Sequence, residues 1–297
     1  MTTAIPQVAA AYEHWLARLD MTFKARQGKT RLVDTKREGP LSVQRAFYPE
    51  RSGAAHLYLL HPPAGIVSGD ELNIAANLDT DCEVLLTTPG ANRFYRARDA
   101  VGIASKQSQH NRFYVQDNAR LEYLPHETLV YANANAFSTT DIFVEGNASF
   151  VGWDIACLGL PHIQQPFDKG RFTQTLSLYH NGRIRFHDRL AVEAQDDICR
   201  SRIGLAGHHV VGNMVLFNGE HAASTAKAKQ LVELARNASE AEHENGELAI
   251  TQLQGVVIAR YLGDDSEACR ECFARIWAAT RPLMSGRDAV PPRIWYT

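Results

Sequence analysis

The chain has 297 residues, 31 Lys+Arg against 33 Asp+Glu for a net charge of −2, with 45% hydrophobic and 22% charged residues. This composition excludes disordered, collagen-like and coiled-coil classes, and near-neutral charge with no Lys/Arg run leaves no electrostatic footprint for nucleic acid. No stretch reaches the ~18 consecutive apolar residues of a membrane span. The N-terminal segment has neither a basic start nor a continuous apolar run, so no membrane partner and a cytoplasmic location are expected. Cys82, Cys157, Cys199, Cys269 and Cys272 are odd in number and mostly scattered, which suits reduced thiols.

From about residue 31 to 216 the dominant period is two. Short β-favouring runs lie at 41–45, 56–60, 72–76, 82–88 and 120–124, and continue at 172–179 and 183–190. Turn residues separate them, and Asn181-Gly182 is the strongest hairpin signal. Strands about ten residues apart, with no helices interleaved, predict sheet packed on sheet, as a sandwich or a β-helix-like stack. Helical spacing then appears over 225–241, through Leu231, Val232 and Ala235, and over 266–283, through Cys269, Phe273 and Trp277, with Asp265 or Ser266 as N-cap. Strand-like runs at 247–251 and 255–262 lie between the helices. The prediction is a mainly β fold of stacked sheets with a small C-terminal α/β layer of about two helices, in one domain over 1–297.

Enzyme signatures fail one by one. Gln27-Gly28-Lys29-Thr30 resembles the end of a phosphate-binding loop, but Phe23 stands where its first glycine is required. Ser68 lacks the glycine spacing of a nucleophile elbow, and His126-Glu127 is followed by Val130 where a zinc-binding helix needs its second histidine. Cys269 and Cys272 share one helix side and read as small apolar residues on a buried face. What remains is a set of carboxylates beside turns and strand ends: Asp70 and Glu71 after a glycine-flanked turn, Glu122 and Glu127 around Pro125, Asp154 after Trp153, and Asp188 after His187. Asp154 lies inside an apolar run, where a carboxylate costs free energy unless it is paired, hydrogen-bonded or facing water. It serves either a structural hydrogen bond or a polar passage whose oxygens hold a divalent cation transiently.

Several strings, read together, carry a resemblance. In order they are Gly39-Pro40-Leu41 to Glu50, Leu59-Leu60-His61-Pro62-Pro63 to Asp70, Thr87 to Arg96, Leu121 to Glu127, Gly152-Trp153-Asp154 to Gly159, and the C-terminal Pro291-Pro292-Arg293-Ile294-Trp295. Their order and spacing resemble the urease accessory protein UreD (UreH) family over nearly the whole chain. The resemblance implies a mainly β, β-helix-like stack and a role as a non-enzymatic urease maturation factor. It implies binding to the urease apoprotein, cooperation with the UreF and UreG accessory proteins, and delivery of nickel through a polar passage, with transient Ni²⁺ and no tightly bound cofactor. Asp70, Asp154 and Asp188 are then the expected passage residues, with Glu71, Glu122 and Glu127 as secondary candidates. The alternatives are a purely structural adaptor that does not touch nickel, or a β-rich hydrolase using a carboxylate pair such as Asp70 and Glu127. Three departures from the family pattern stand out: Ala64 and Ser68 replace glycines in the turn before Asp70, and Leu160 replaces an arginine.

Overall fold

A computed structural model describes residues 15–98, 105–220, 225–239 and 246–296. It opens with an antiparallel hairpin of β1 (Trp15–Arg26) and β2 (Lys29–Glu38), and a short β3 (Ser42–Val43) pairs with β4 (Ala55–Leu60). The chain then shuttles between two sheets. It crosses from β4 to β5 (Asp70–Leu78), back to β6 (Glu83–Thr87) and, after the short β7 (Asn92–Phe94), over to β8 (Gln107–Val115). The alternation continues through β9 (Arg120–Tyr123), the short β10 (Thr128–Val130), β11 (Ala134–Val144) and β12 (Ser149–Leu160). After β13 (Gln165–Pro166) come the hairpin of β14 (Gly170–His180) and β15 (Arg183–Glu193), then β16 (Val210–Asn218). The remaining elements are α1 (Thr225–Ser239), β17 (Gly246–Leu253), β18 (Val256–Gly263) and α2 (Ser266–Ser285).

Within the first sheet β1, β5, β8, β11 and β14 pair in parallel, and within the second so do β4, β6, β9 and β12. Parallel neighbours need a crossover connection, ordinarily a helix. Here a strand of the opposite sheet provides it, so a run of strands without helices still makes parallel sheets. The antiparallel hairpins close on tight turns: Gln27/Gly28, Asn181/Gly182 and Gln254/Gly255 each place two successive residues at positive φ, the type I′ pattern. The phosphate-loop-like string at Gln27-Gly28 is therefore the β1–β2 turn. Strand pairing begins at Trp15, earlier than the period-two reading from about residue 31.

Two cores follow from this layering. One lies between the sheets, and the other lies between the second sheet and the two helices, where Trp153, Met214, Leu231, Phe273 and Trp277 pack together. Strand β12 serves both, with Phe150, Ala156 and Leu158 facing the first sheet and Trp153, Ile155 and Cys157 facing the helices. Its near-continuous apolar run is that of a strand buried on both faces. Each large side chain taken out of water here contributes about 1.5–3 kcal/mol. Asp265, one of the two predicted caps, holds the start of α2 by accepting from the Glu267 and Ala268 N–H groups at 2.8 and 3.1 Å. Predicted helix 225–241 is seen to Ser239, and residues 240–241 lie outside the described segments. No described helix is long and apolar enough to cross a membrane.

Candidate functional site

The interior between the sheets changes character along the strands. Across β5, β8 and β11 the inward rows read Leu72–Gln109–Ser138, Ile74–Asn111–Thr140, Ala76–Phe113–Ile142 and Leu78–Val115–Val144. Two rows are wet on the β8 and β11 side and two are dry throughout. At the wet end lies a cavity of about 260 Å³, lined from the first sheet by Leu72, Gln109 and Ser138 and from the second by Tyr123 and Asp154. Gly152 makes room on β12 beside Asp154, since a Cβ there would sit 2.5 Å from the Phe150 ring and 2.9 Å from the Tyr123 carbonyl oxygen.

Asp154 faces this cavity from deep within the protein. Its carboxylate meets the cavity space rather than the outer surface, so it is partly accessible while protein surrounds it. The hydroxyl of Thr140 donates to it at 3.4 Å, and Thr140 in turn accepts from the Asn111 amide at 3.1 Å. Burial pushes the Asp154 carboxyl up to about 6, against the weaker pull of the Thr140 bond. Burial, followed by the Asp154 charge, also raises the Tyr123 phenol.

Two histidines join the same cavity, and the sequence reading left both out of the site. His61 has both ring nitrogens buried without a hydrogen-bond partner among the described residues, and burial lowers its pKa. His126 has Nδ1 2.8 Å from the Thr88 carbonyl oxygen, so Nδ1 carries the proton and Nε2 presents a lone pair. Burial, against that bond, also holds the His126 pKa down. Neutral imidazole nitrogens and a carboxylate are ligands suited to a divalent transition metal. The sequence signal for His61 was its place beside Pro62-Pro63, but only the fold shows that this turn roofs the cavity.

The other predicted carboxylates have different surroundings. Asp70 lies on the inward face at the start of β5, buried, and accepts from the Val67 N–H at 2.9 Å within its turn. Glu71 points to the outer face and accepts from the Asn73 amide at 2.8 Å. Asp188, on β15, accepts from Arg260 and from Asn213, each at 2.8 Å, and so ties the first sheet to the second. Glu122 is held by Arg281 at 2.8 and 3.0 Å and by the Trp277 indole at 2.8 Å. Glu127 lies on the helix-facing side, where its charge contributes to raising the Cys157 and Cys269 thiols after the larger effect of burial. The fold thus brings Asp154 to the cavity, places Asp188 in the opposite sheet, two strands along the row from Thr140, and separates Asp70 from Glu127. Cys269 and Cys272 are buried in the helix-side core as expected.

The turn before Asp70 resolves two of the departures. Ala64 adopts φ +63°, a conformation suited to glycine, whereas Ser68 has no such requirement and its hydroxyl accepts from the Arg98 N–H at 2.8 Å. Near the C-terminus Trp295 packs between Trp153 and Trp277 and its indole donates to Thr87 at 3.0 Å, while Trp15 and Tyr296 are exposed. A larger open depression of about 470 Å³ near Lys169, Arg171, Glu193 and Asp196 mixes both charge signs and holds none of the predicted carboxylates.

Residues 16–296 match the profile of the family described as UreD urease accessory protein. A urease accessory protein UreD of Psychromonas ingrahamii is 40% identical over 302 residues, covering 99% of this chain and 98% of that protein. Those of a Marinomonas species and of Saccharophagus degradans are 37% and 35% identical, covering 100% and 99% of this chain and 94% and 97% of theirs. The match extends from the first strand through the cavity-lining strands to the C-terminal turn, and on this evidence the chain belongs to the UreD urease accessory protein family.

Proposed function

We propose that this chain is a cytoplasmic urease maturation factor that binds the urease apoprotein, acts with UreF and UreG, and hands Ni²⁺ onward through the wet end of its inter-sheet interior. The observation that carries this reading is Asp154: a carboxylate placed deep in the protein against an internal cavity and held, among the described residues, by one long bond from the Thr140 hydroxyl. A buried carboxylate without a protein cation is costly. A passing divalent cation supplies the missing charge, and His61 and His126 supply further lone pairs along the cavity wall. Among the described residues no three His, Cys, Asp or Glu side chains converge on one point. Spaced, weak ligands suit release of the ion, because conduction needs binding weak enough to leave.

A carboxylate hydrolase finds less support, since Asp70 and Glu127 lie in different layers of the fold. The adaptor reading and the nickel reading separate in one experiment. Urease activity is measured in a nickel-supplied host carrying the urease subunits and the other accessory proteins, with this chain, without it, or with Asp154→Ala. Nickel passage requires that activity depend on the chain and fall with Asp154→Ala while the variant still co-purifies with apourease. Full activity with Asp154→Ala leaves the adaptor reading, and full activity without the chain removes both.

A further inference from the structure

Asp154, Asn213 and Arg260 occupy one row across β12, β16 and β18, as register partners on adjacent antiparallel strands. Side chains directly opposite one another on such strands share a face, with Cβ atoms about 4.5–5.5 Å apart. Both Asp154 and Asn213 face the first sheet, since one meets Thr140 of β11 and the other Asp188 of β15. The orientation of the Asn213 amide is fixed from outside. Its Nδ2 donates to Asp188 Oδ2 at 2.8 Å, while Asp188 Oδ1 is taken by Arg260 at 2.8 Å. A carboxylate accepts and does not donate, so the NH₂ must face Asp188 and the amide oxygen must turn away from it. That oxygen is buried with no hydrogen-bond partner among the described residues, in a residue only 8% exposed.

Among the described residues, an amide oxygen without a donor therefore sits on the strand beside a carboxylate held by a single 3.4 Å hydroxyl bond. An unpartnered amide oxygen and a carboxylate with a single weak donor repel one another unless something positive lies between them. The Arg260 cation does not fill this role, being directed at Asp188 and 54% exposed at its side chain. We propose that Asp154 and the Asn213 amide oxygen form a two-oxygen way-point for a partly hydrated divalent cation, with Asp188 and Arg260 as the positioning pair that keeps the oxygen, rather than the NH₂, turned inward. This gives Asp188 a role through Asn213 instead of direct contact with the ion. The inference rests on the nickel reading above and adds to it the ligand Asn213, the donor type and the orienting device.

The test uses the full chain and NiCl₂ at neutral pH, with equilibrium dialysis for affinity, Ni K-edge absorption for ligand type, and thermal unfolding as a folding control. Asn213→Leu removes the oxygen. Asp188→Asn keeps the shape but lets the Asn213 amide rotate, because the new side chain both donates and accepts. The expected result is a loss of about tenfold or more in Ni²⁺ affinity for each, comparable with the cost of removing outer-shell partners in metal sites, and an all-oxygen spectrum in the unmodified chain. Should Asp154→Ala weaken binding while Asn213→Leu and folded Asp188→Asn bind as before, the way-point is wrong and the wider passage reading stands. An imidazole signature in the spectrum would equally overturn it, in favour of His61 and His126. If Asp154→Ala changes neither Ni²⁺ affinity nor urease maturation, the passage reading falls and takes this inference with it.

Discussion

Two groups of buried carboxylates in this protein are treated in opposite ways. Glu50 and Glu122 converge on Arg281, whose guanidinium bonds to Glu50 at 2.7 and 3.1 Å and to Glu122 at 2.8 and 3.0 Å, with His56 closing the far side of Glu50 at 2.8 Å. Burial alone would raise Glu50, but the bonds from His56 and Arg281 outweigh it and hold that carboxyl down at about 2. Asp154 receives no such cation, and burial raises it to about 6. The contrast shows that burial of a charge does not by itself mark a functional group. The informative difference is whether the fold supplies the counter-charge: at Arg281 it does, and α2 is clamped to the β body as a result.

Removing the clamp should show the largest effect. Arg281→Met removes the guanidinium that the two carboxylates share, leaving Glu50 with His56 and the more distant Arg287 at 3.9 Å, and unfolding by urea should reveal a loss of about 3–5 kcal/mol. A loss below 1 kcal/mol would mean that the cluster is solvated in solution and the contrast with Asp154 is false. Acid attacks the same cluster more gently. A carboxyl whose folded pKa is depressed from 4.5 to about 2 contributes stability above pH 4.5 that is lost as the pH falls toward 2, about 3 kcal/mol in this case. The acid limb of the stability curve should therefore flatten in Glu50→Gln.

Asp154 carries the opposite sign. Its folded pKa lies above the ordinary 3.8, so the fold loses stability as pH rises from about 4 through 6 and bears the cost at all higher pH. Asp154→Asn should be more stable than the unmodified chain by about 2–3 kcal/mol at pH 8 and equal to it at pH 3. It should nonetheless fail to support urease maturation. A variant no more stable at pH 8 would show that Asp154 already has a compensating partner. The smallest change expected is at Ala64, held at φ +63°. Ala64→Gly should raise stability by about 0.5–1 kcal/mol, seen as a higher thermal midpoint, with maturation unchanged.

The sequence made individual strands readable because inward and outward residues alternate, and Asp154 stood out because a carboxylate interrupts the apolar run of β12. Asp188 lies in the charged run 183–190 and carries no such signal, and nothing in that run shows that its counter-charge is Arg260, brought alongside by pairing of β16 with β18. His61 and Asn213 were hidden for the same reason, since their neighbours are chosen by strand order and not by sequence. Strand β1 was legible in principle, its buried Ala17, Leu19, Met21 and Phe23 falling on alternate positions. Its turn, however, uses Gln-Gly in place of the Asn-Gly that marks such hairpins best. The parallel shuttle was out of reach, because each pairing joins strands separated by another strand of the opposite sheet.

The Arg281 clamp also fixes an order of events during synthesis. Glu50 and Glu122 precede their cation by 231 and 159 residues. A growing chain therefore exposes both carboxylates long before α2 leaves the ribosome, and they remain hydrated until it does. The seam around Glu50 and Glu122 can close dry only when the last helix arrives. Nascent chains stopped short of residue 281 would keep this region open to proteases and chaperones, so the final helix acts as the seal on this seam.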